Sequence, residues 1–371
     1  MNGPSVLFAF THLLGVGHVH RAHLLGHAMA REGLRVHGVH GGVPLPHLAW
    51  PGAALHHLPP VRARDATYGE TLTGEGNPLD GAYLERRRDA LLSIARKVRP
   101  DCVLVEAWPF GRRFMTGEMA ALRAALPEVP FVVSVRDILQ TRRPDRMEES
   151  IAHVERLDAQ VLVHADPAIV RLEDSFPPAR RIAERVTHTG FVVPPDAGSA
   201  RDVPPCDVLV SAGGGAFGGE LMAVACAAAR AHGGRWRIVT GPNLPRAERA
   251  ALAVPSNAVL ETRVDGLAAH MAGAGASISQ CGYNTAMDTL RAAAHGTRTV
   301  FVPHDTTGQT EQLARAERFA DAGRAVCLPQ SRLTADALLD ALARAPDPSG
   351  LPLPDMDGAV RTARLVRRIA S

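Results

Sequence analysis

The chain of 371 residues is too long for one ordinary domain and has the length expected of two. Hydrophobic residues make up 46% of it and charged residues 21%, a globular composition that excludes an intrinsically disordered protein. The formal net charge of +3 is small for this length, so no nucleic-acid partner is expected. The five cysteines are scattered and lack metal-ligand spacing, which predicts a reduced, cytoplasmic protein without a metal site. The longest apolar run, Leu221 to Ala229, is too short to span a bilayer, which leaves only peripheral contact with the inner membrane face open.

Short apolar runs alternate with longer amphipathic stretches along the chain, and this pattern predicts parallel sheets covered by helices on both faces. In the first half the predicted strands are Ser5–Phe10, Leu34–Val39, Cys102–Glu106, Phe131–Val135 and Gln160–His164. The helices predicted there are Val19–Glu32, Tyr83–Lys97, Thr116–Ala125, Met147–Arg156 and Pro167–Asp174. In the second half the predicted strands are Asp207–Ala212, Trp236–Thr240, Ala258–Glu261, Ser277–Ser279, Thr299–Val302 and Ala325–Cys327. The helices predicted there are Glu220–Ala231, Arg246–Leu252, Thr285–Ala294, Glu311–Asp321 and Thr334–Ala343.

Two irregular stretches interrupt this alternation. The prolines and glycines of Gly190 to Pro205 cannot sustain a helix or a central strand, so this stretch is predicted to be an interdomain hinge. The expected division is a first domain over residues 1–190, a linker over 191–205, a second domain over 206–354 and a C-terminal helix over 355–371. The second stretch, Asp65 to Asp80, is rich in Gly and Thr and is predicted to be a mobile surface loop that can serve as a substrate lid.

A glycine loop, Gly15 to Arg21, follows the first strand and opens a helix. Glycines let a ligand approach the backbone, and a helix N-terminus attracts anions. His18 stands at the helix start, where it can act as a general base or serve only as a hydrogen-bonding residue of the helix end. The loop does not fit a dinucleotide fingerprint, because His20 takes the third glycine position and no acid follows the second strand. NAD binding is therefore not expected.

A second glycine loop, Ser211 to Gly219, follows a strand and opens the helix at Glu220. Consecutive backbone amides in such a loop can cradle phosphate oxygens, and a tight packing turn is the alternative interpretation. The candidate donor-binding residues of this loop are Gly213, Gly214 and Gly215.

The most specific pattern is a strand, the segment QCGYNT over residues 280–285, and a helix. It places hydroxyl, amide and backbone N–H groups at a helix N-terminus, which suits a diphosphate. Asp288 lies one turn further on, where a carboxylate can accept hydrogen bonds from two vicinal ribose hydroxyls. Taken singly, Asn284 and Thr285 are ordinary caps and Asp288 is a favourable first-turn acid. Their combination with the following strand and with Glu311-Gln312 indicates a nucleotide-sugar site.

These segments resemble the GT-B glycosyltransferases, specifically the MurG-like family 28 enzymes and a related group of bacterial glycosyltransferases. The resemblance covers essentially the whole chain and implies an α/β fold with two Rossmann-like parallel-sheet domains that face each other across a cleft. In those enzymes a glycine loop and Asn, Ser or Thr hold the diphosphate, an acid on the same helix holds the ribose, and a Gln-containing pair recognises the sugar. The resemblance thus implies as donor-binding residues, besides the three glycines, Arg263, Val264, Gln280, Gly282, Asn284, Thr285, Asp288, Glu311 and Gln312.

On the acceptor side the resemblance rests on the first glycine loop and on the segments EAWPFGRRF (106–114) and SVRDIL (134–139). Within that loop His18 is the expected catalytic base, and Glu106 and Asp137, at the carboxyl ends of neighbouring predicted strands, are the next candidates for that role. The implied acceptor-side residues are Gly15, Gly17, Arg21, Glu106, Arg136 and Asp137. Two positions depart from the pattern, since Gln280 stands where several GT-B families have His or Arg, and Asp288 replaces the commoner Glu.

The predicted function is transfer of a sugar from a nucleotide-diphosphate donor, with uridine as the expected nucleoside, to an acceptor molecule held by the first half. Helix N-termini stabilise the departing diphosphate, so neither a metal nor a cofactor is expected. A nucleotide-sugar hydrolase or epimerase remains an alternative, because the loop with His18 and Arg21 also resembles the nucleotide-sugar hydrolases of nonulosonate biosynthesis. A non-enzymatic regulator that binds nucleotide sugars is the third interpretation.

Overall fold

The computed structural model describes residues 3–45, 49–65, 69–194, 203–212, 218–305 and 310–371. The chain divides into two compact units, one formed by Met1–Val193 together with Asp355–Ser371 and the other by Pro194–Pro354. Each unit is built around one twisted sheet with helices in the connections between strands, and this confirms the predicted α/β class with two parallel-sheet domains. Among the described residues, every helix is too short or too polar to cross a membrane.

The sheet of the first unit is parallel apart from one antiparallel pair at its edge. Its strands within the described ranges are β1 (Ser5–Phe10), β2 (Arg35–Gly42), β3 (Ala54–Ala63), β4 (Thr71–Thr73), β5 (Cys102–Glu106), β6 (Phe131–Arg136), β7 (Gln160–His164) and β8 (Val186–His188). They lie in the order β4-β3-β2-β1-β5-β6-β7-β8, with β3 and β4 antiparallel. Every residue of β1 and β5 is buried, because helices cover both faces of the central strands.

The first half contains five described α-helices, and two of them begin at recognisable signals. They are α1 (Gly17–Arg31), α2 (Gly81–Val98), α3 (Thr116–Ala125), α4 (Pro144–Leu157) and α5 (Leu172–Ser175). The side chain of Asp80 caps α2 by accepting a hydrogen bond from the amide of Tyr83 at 2.7 Å, and Pro144 occupies the first turn of α4. The buried face of α1 includes Val19, Ala22, Leu25 and Met29, whose spacing of three and four residues keeps them on one side.

The second unit has the strand order of a nucleotide-binding doubly wound sheet. Its described strands are β9 (Cys206–Ser211), β10 (Trp236–Val239), β11 (Ala258–Glu261), β12 (Ala274–Ser279), β13 (Arg298–Phe301) and β14 (Val326–Cys327). Its described helices are α6 (Gly219–His232), α7 (Arg246–Ala250), α8 (Leu267–Ala272), α9 (Tyr283–Ala293), α10 (Glu311–Asp321) and α11 (Ala335–Arg344). The order β11-β10-β9-β12-β13-β14 is all parallel and reverses direction between β9 and β12, where such sheets bind their ligands.

The last helix, α12 (Gly358–Ile369), belongs to the first unit. Its buried Ala363 and Val366 join the apolar cluster that contains Val19 and Leu25 of α1. Arg364 pairs with Glu32 at the end of α1, with a nitrogen–oxygen distance of 3.3 Å. The helical spacing of the tail was visible in the sequence, whereas the sequence gives no sign of which unit it joins.

Several elements differ from the sequence predictions, and among the described residues β8 and α8 form where no strand or helix was predicted. Ala54–Ala63 forms β3 although no strand was predicted there, because its two prolines and two histidines break the apolar pattern. The predicted mobile loop Asp65 to Asp80 is wrong for Thr71–Thr73, which pairs with β3, while residues 66–68 lie outside the described ranges. The predicted helix Pro167–Asp174 shrinks to Leu172–Ser175. Of the predicted hinge, residues 195–202 lie outside the described ranges.

Candidate active site

His18, Glu106 and the QCGYNT segment lie where each sheet reverses its strand order. In the first unit β1 pairs with β5, so the loop that follows β1 lies beside the carboxyl end of β5. In the second unit β9 pairs with β12, and the QCGYNT segment follows β12. Parallel strands that diverge at such a point leave a crevice at their carboxyl ends, which is where α/β proteins place ligands. Each unit therefore presents one candidate site of its own.

In the first unit His18 is hydrogen-bonded to a buried carboxylate. His18 lies in the first turn of α1 and Glu106 is the last residue of β5, and Nδ1 of His18 is 2.6 Å from Oε1 of Glu106. Arg21, one turn further along α1, donates to the same oxygen. Because an ionised carboxylate only accepts hydrogen bonds, Nδ1 of His18 carries the proton, and Nε2 keeps its lone pair. The arrangement is that of a general base oriented by a carboxylate.

Burial and charge keep His18 neutral and Glu106 ionised. Burial lowers the pKa of His18 to about 4, and the nearby Arg112 and Arg21 act in the same direction, while Glu106 opposes them. Burial of Glu106 opposes its ionisation, but His18 and Arg21 outweigh that effect and lower its pKa. The neutral imidazole is thus the dominant form at neutral pH. The pKa of His18 lies below the ordinary value near ~6.5 that the sequence alone suggests. Oε1 of Glu106 accepts hydrogen bonds from two side chains, and the role of Glu106 as an alternative base stays a prediction.

The remaining acceptor-side candidates surround this pair. Gly15 is exposed, and a Cβ at its position would meet open space, so packing does not require a glycine there. Gly17 is the first residue of α1. Arg136, half-buried, ends β6, and the fully buried Asp137 follows it, one strand further along the sheet than Glu106. Sequence reasoning did not single out Arg112, whose Nε donates to the carbonyl of Thr11 at 2.9 Å.

In the second unit Gly282 is the N-cap of α9, and Asn284 and Thr285 lie inside its first turn. The interpretation of these two residues as ordinary caps is therefore wrong. Because Gly282 has no side chain, it supplies no capping group to the first amides of α9 and does not keep an anion away from them. Asp288 follows Asn284 by four residues and Thr285 by three, which places all three half-buried side chains on one face of α9.

Asp288 sits in a surrounding that resists its ionisation. Burial raises the pKa of Asp288 to about 6, and the cation of Arg291, three residues further along α9, partly offsets this. A carboxylate with this pKa is mostly ionised at neutral pH and is a strong hydrogen-bond acceptor. The buried Gln280 immediately follows β12, and its backbone N–H donates a hydrogen bond to the carbonyl oxygen of Ser211 in β9 at 3.4 Å.

Helix α10 is tied to the QCGYNT segment by a residue that sequence reasoning missed. The buried Arg315 donates from Nη1 to the carbonyl of Cys281 at 2.7 Å and lies over the ring of Tyr283. Glu311 is the first residue of α10, and Oε1 of Gln312 accepts a hydrogen bond from the amide of His304 at 3.4 Å. Arg315 follows the candidate residue Glu311 by four residues and so lies on the same face of α10. This spacing is the sequence signal that could have added Arg315 to the candidate residues.

The other donor-side candidates lie further from α9 or outside the described ranges. Arg263, highly exposed and 3.7 Å from a carboxylate oxygen of Asp265, and the half-buried Val264 follow β11. Three strand spacings separate β11 from β12, a span of roughly 14 Å at about 4.8 Å each. Gly213, Gly214 and Gly215 lie outside the described residues. Among the residues that are described, no three His, Cys, Asp or Glu side chains are grouped so that they could hold a metal ion.

Comparison with known proteins agrees with this geometry. Residues 236–365 match the glycosyltransferase family 28 C-terminal domain. The chain superposes on CalG4, the calicheamicin glycosyltransferase, with a TM-score of 0.60 and 18% identity, covering 100% of this chain and 94% of that one. It superposes on MurG of Acinetobacter baumannii with a TM-score of 0.60 and 16% identity, covering 98% and 95%.

A plant protein shows the same fold. UGT71G1 of Medicago truncatula, solved in complex with UDP-glucose, superposes with a TM-score of 0.64 and 12% identity, covering 100% of this chain and 99% of that one. A search among curated proteins finds no match. The domain match identifies the transferase class and the superpositions identify the fold. The chain thus carries a glycosyltransferase family 28 C-terminal domain and is a glycosyltransferase of the GT-B type.

Proposed function

We propose that the protein transfers a glycosyl group from a uridine-diphosphate sugar to a nucleophilic group of an acceptor, without help from a metal ion. The observation that carries the proposal is the hydrogen bond of 2.6 Å between Nδ1 of His18 and the buried Glu106. It leaves Nε2 of a neutral imidazole to take a proton. A base of this kind activates an acceptor hydroxyl, which is the step that distinguishes transfer from mere binding.

In the proposed reaction Nε2 of His18 removes the proton from the acceptor oxygen as that oxygen bonds to the anomeric carbon. The bond between the anomeric carbon and the diphosphate breaks, and the nucleoside diphosphate leaves with the bonding electrons. Glu106 stabilises the imidazolium that forms, because its charge lies against Nδ1. Arg21, which shares Oε1, holds the carboxylate in its ionised form.

The donor side of the proposal rests on α9 in the second unit. The N-terminal amides of α9 stabilise the negative charge that develops on the departing diphosphate, since the positive end of a helix dipole acts there without any reorganisation. Asn284, Thr285 and Asp288 share one face of this helix and are proposed to bind the diphosphate and the ribose. Two proteins of the same fold support a nucleotide donor, one solved with UDP-glucose and the other, VinC, with dTDP.

The test is a matrix of donors and acceptors. UDP-, dTDP- and GDP-hexoses are incubated with alcohols, phenols and sugars, and the released nucleotide and the glycosylated products are measured by mass spectrometry. A glycosylated acceptor with stoichiometric UDP supports the proposal. Free sugar formed at the same rate with and without acceptors indicates a hydrolase and contradicts it. Turnover that requires added Mg²⁺ or Mn²⁺ contradicts the proposed metal independence.

A further inference from the structure

A cavity lined by several arginines lies in the first unit, between the loops that follow β5 and β6 and helix α4. The cavity is partly open to solvent, and its lining includes Trp108, Arg113, Arg142, Arg146, Glu149 and His153. Its wall is held in place by two hydrogen bonds within the unit. Nε1 of Trp108 donates to the hydroxyl of Thr116 at 3.3 Å, and the hydroxyl of Ser150 donates to the carbonyl of Pro109 at 3.0 Å.

The cations in this cavity outnumber the anions. Glu149 lies 3.0 Å from Arg146 and 3.5 Å from Arg113, so one carboxylate is shared by two guanidinium groups. Asp145 outside the lining pairs chiefly with Arg143, at 3.1 Å, and reaches Arg146 only at 3.7 Å. Among the described residues, none of these carboxylates forms an ion pair with Arg142, although Glu149 raises its pKa, and the lining carries three arginines against one acid.

Arg142 is the lining residue whose side-chain hydrogen-bonding groups are least satisfied by its surroundings. Its Nε is buried and has no hydrogen-bond partner among the residues that the structure describes. Burial lowers the pKa of Arg142, and the charges of Arg113 and Arg146 lower it further. A buried guanidinium N–H without a partner is costly, and an oxyanion in the cavity would both satisfy it and offset the repulsion among the cations.

The cavity adjoins the strand end that carries Glu106. A Cβ built on Gly111 would lie 3.8 Å from Nη2 of Arg142 and 3.5 Å from the carbonyl oxygen of Ala107. Ala107 directly follows Glu106, and Trp108 in the cavity wall is separated from Glu106 by at most about 7 Å of chain. The cavity wall and Glu106, the partner of His18, thus belong to one stretch of chain at the end of β5.

We propose that the cavity binds an oxyanion, a phosphate or carboxylate group, that belongs to the acceptor. The inference rests on the proposed transfer to an acceptor activated by His18, and it narrows the acceptor to an acidic molecule. Arg142 forms the principal contact, and Arg113 and Arg146 supply further donors from the cavity lining. The planar guanidinium fork matches the oxygens of both groups, so the recognition is bidentate.

Anion binding is measured first on the free protein, with inorganic phosphate as the probe, by calorimetry at fixed ionic strength with and without UDP. Arg142→Gln should weaken phosphate binding at least fivefold. Arg143→Gln is the matched control, because Arg143 is the adjacent arginine, is 79% exposed and faces Asp145 outside the cavity lining. If Arg142→Gln does not fold, Arg113→Gln serves as the second variant, because Arg113 is largely exposed. It is expected to weaken phosphate binding less than the loss of Arg142. Equal phosphate affinity in wild type and the Arg142 or Arg113 variants, or no phosphate binding by the wild type, overturns the proposal.

Transfer kinetics then distinguish an anion of the acceptor from a free anion. An acidic acceptor is compared with its neutral amide or ester. Arg142→Gln should raise KM for the acidic acceptor at least fivefold, leave KM for the neutral analogue unchanged, and leave kcat close to wild type for both. Equal effects on the two acceptors overturn the assignment to the acceptor, even where phosphate binding depends on Arg142. Absence of any transfer with intact phosphate binding counts against the proposed function alone.

Discussion

His18→Ala is the perturbation that tests the proposed chemistry most directly. The substitution removes the imidazole but leaves Glu106 bonded to Arg21, so no buried carboxylate loses its last partner. His18 itself retains 22% exposure of its side chain, and its loss should cost the fold no more than the hydrogen bond to Glu106. That cost is about 1–3 kcal/mol of unfolding free energy, which a protein of this size is expected to survive.

The expected effect on turnover is much larger. A positioned general base accelerates proton transfer by about 10²–10⁴-fold, which corresponds to roughly 2.7–5.4 kcal/mol of activation free energy. The bond of 2.6 Å to a buried carboxylate favours the upper part of this range, because Glu106 stabilises the imidazolium only when His18 is present. UDP affinity should stay within about twofold, since the proposed donor-binding residues belong to the second unit.

The assay is steady-state transfer with saturating donor, together with calorimetry for UDP. Exogenous imidazole should restore part of the activity of His18→Ala but should not change the wild type. His20→Ala is the matched control, because His20 is an exposed histidine of the same helix. With the donor kept saturating at every pH, the wild-type kcat/KM for the acceptor should hold its value as the pH falls to about 5, since burial places the pKa of His18 near 4. Near-normal turnover of His18→Ala, or an activity loss centred near pH ~6.5 from protonation of His18, would refute this reasoning.

Two further predictions concern the donor site and the stability of the first unit. Asp288→Asn should weaken UDP binding by about 1–3 kcal/mol, because a charged acceptor becomes neutral. The affinity of the wild type for UDP should also fall as the pH drops through about 6, where burial places the pKa of Asp288. The variant should show a smaller fall, which comes from protonation of the phosphate of UDP itself. Calorimetry between pH 5 and 8 checks both expectations. Burial lowers the pKa of both His40 and His164 to about 3. Below pH ~6.5 the unfolded chain therefore binds protons at these histidines and the native state does not. The unfolding free energy should decline by about 1.4 kcal/mol per pH unit for each histidine as the pH falls. Urea unfolding at pH 7.0 and 5.5 checks this loss, and a slope unchanged in His40→Gln would contradict it.

The fold could be predicted where burial on both sheet faces makes a strand continuously apolar. β1 and β5 are such strands, and the predicted bounds Ser5–Phe10 and Cys102–Glu106 are those that the structure has. β3 could not be found in this way, because Pro59 and Pro60 lack amide hydrogens and its histidines hide the apolar pattern. It is a strand because β2 pairs with it over His37 to Gly42, a contact that local sequence does not encode.

The candidate site could be predicted only in its local parts. The QCGYNT segment and the His18 loop are visible because each couples a strand, a glycine and a helix start within a few residues. The partner of His18 could not be identified, since Glu106 lies 88 residues away and meets it only because β5 is inserted beside β1. The same limit applies to Arg315, which reaches Cys281 across 34 residues. Pairings of this kind depend on sheet topology, whereas the residue types at each end depend on local chemistry.

The placement of these groups indicates which parts of the first unit can change independently. Glu106 is the last residue of a buried strand and is bonded to two side chains of α1, so altering it disturbs the base and the core together. Arg142 stands in the loop after β6, where residues can vary without disturbing the strands. Changes at Arg142 should therefore shift which acceptors are used while the base is retained. In proteins with this sheet order, we expect acceptor choice to follow these loops and the proton-transfer chemistry to follow the β1 and β5 ends.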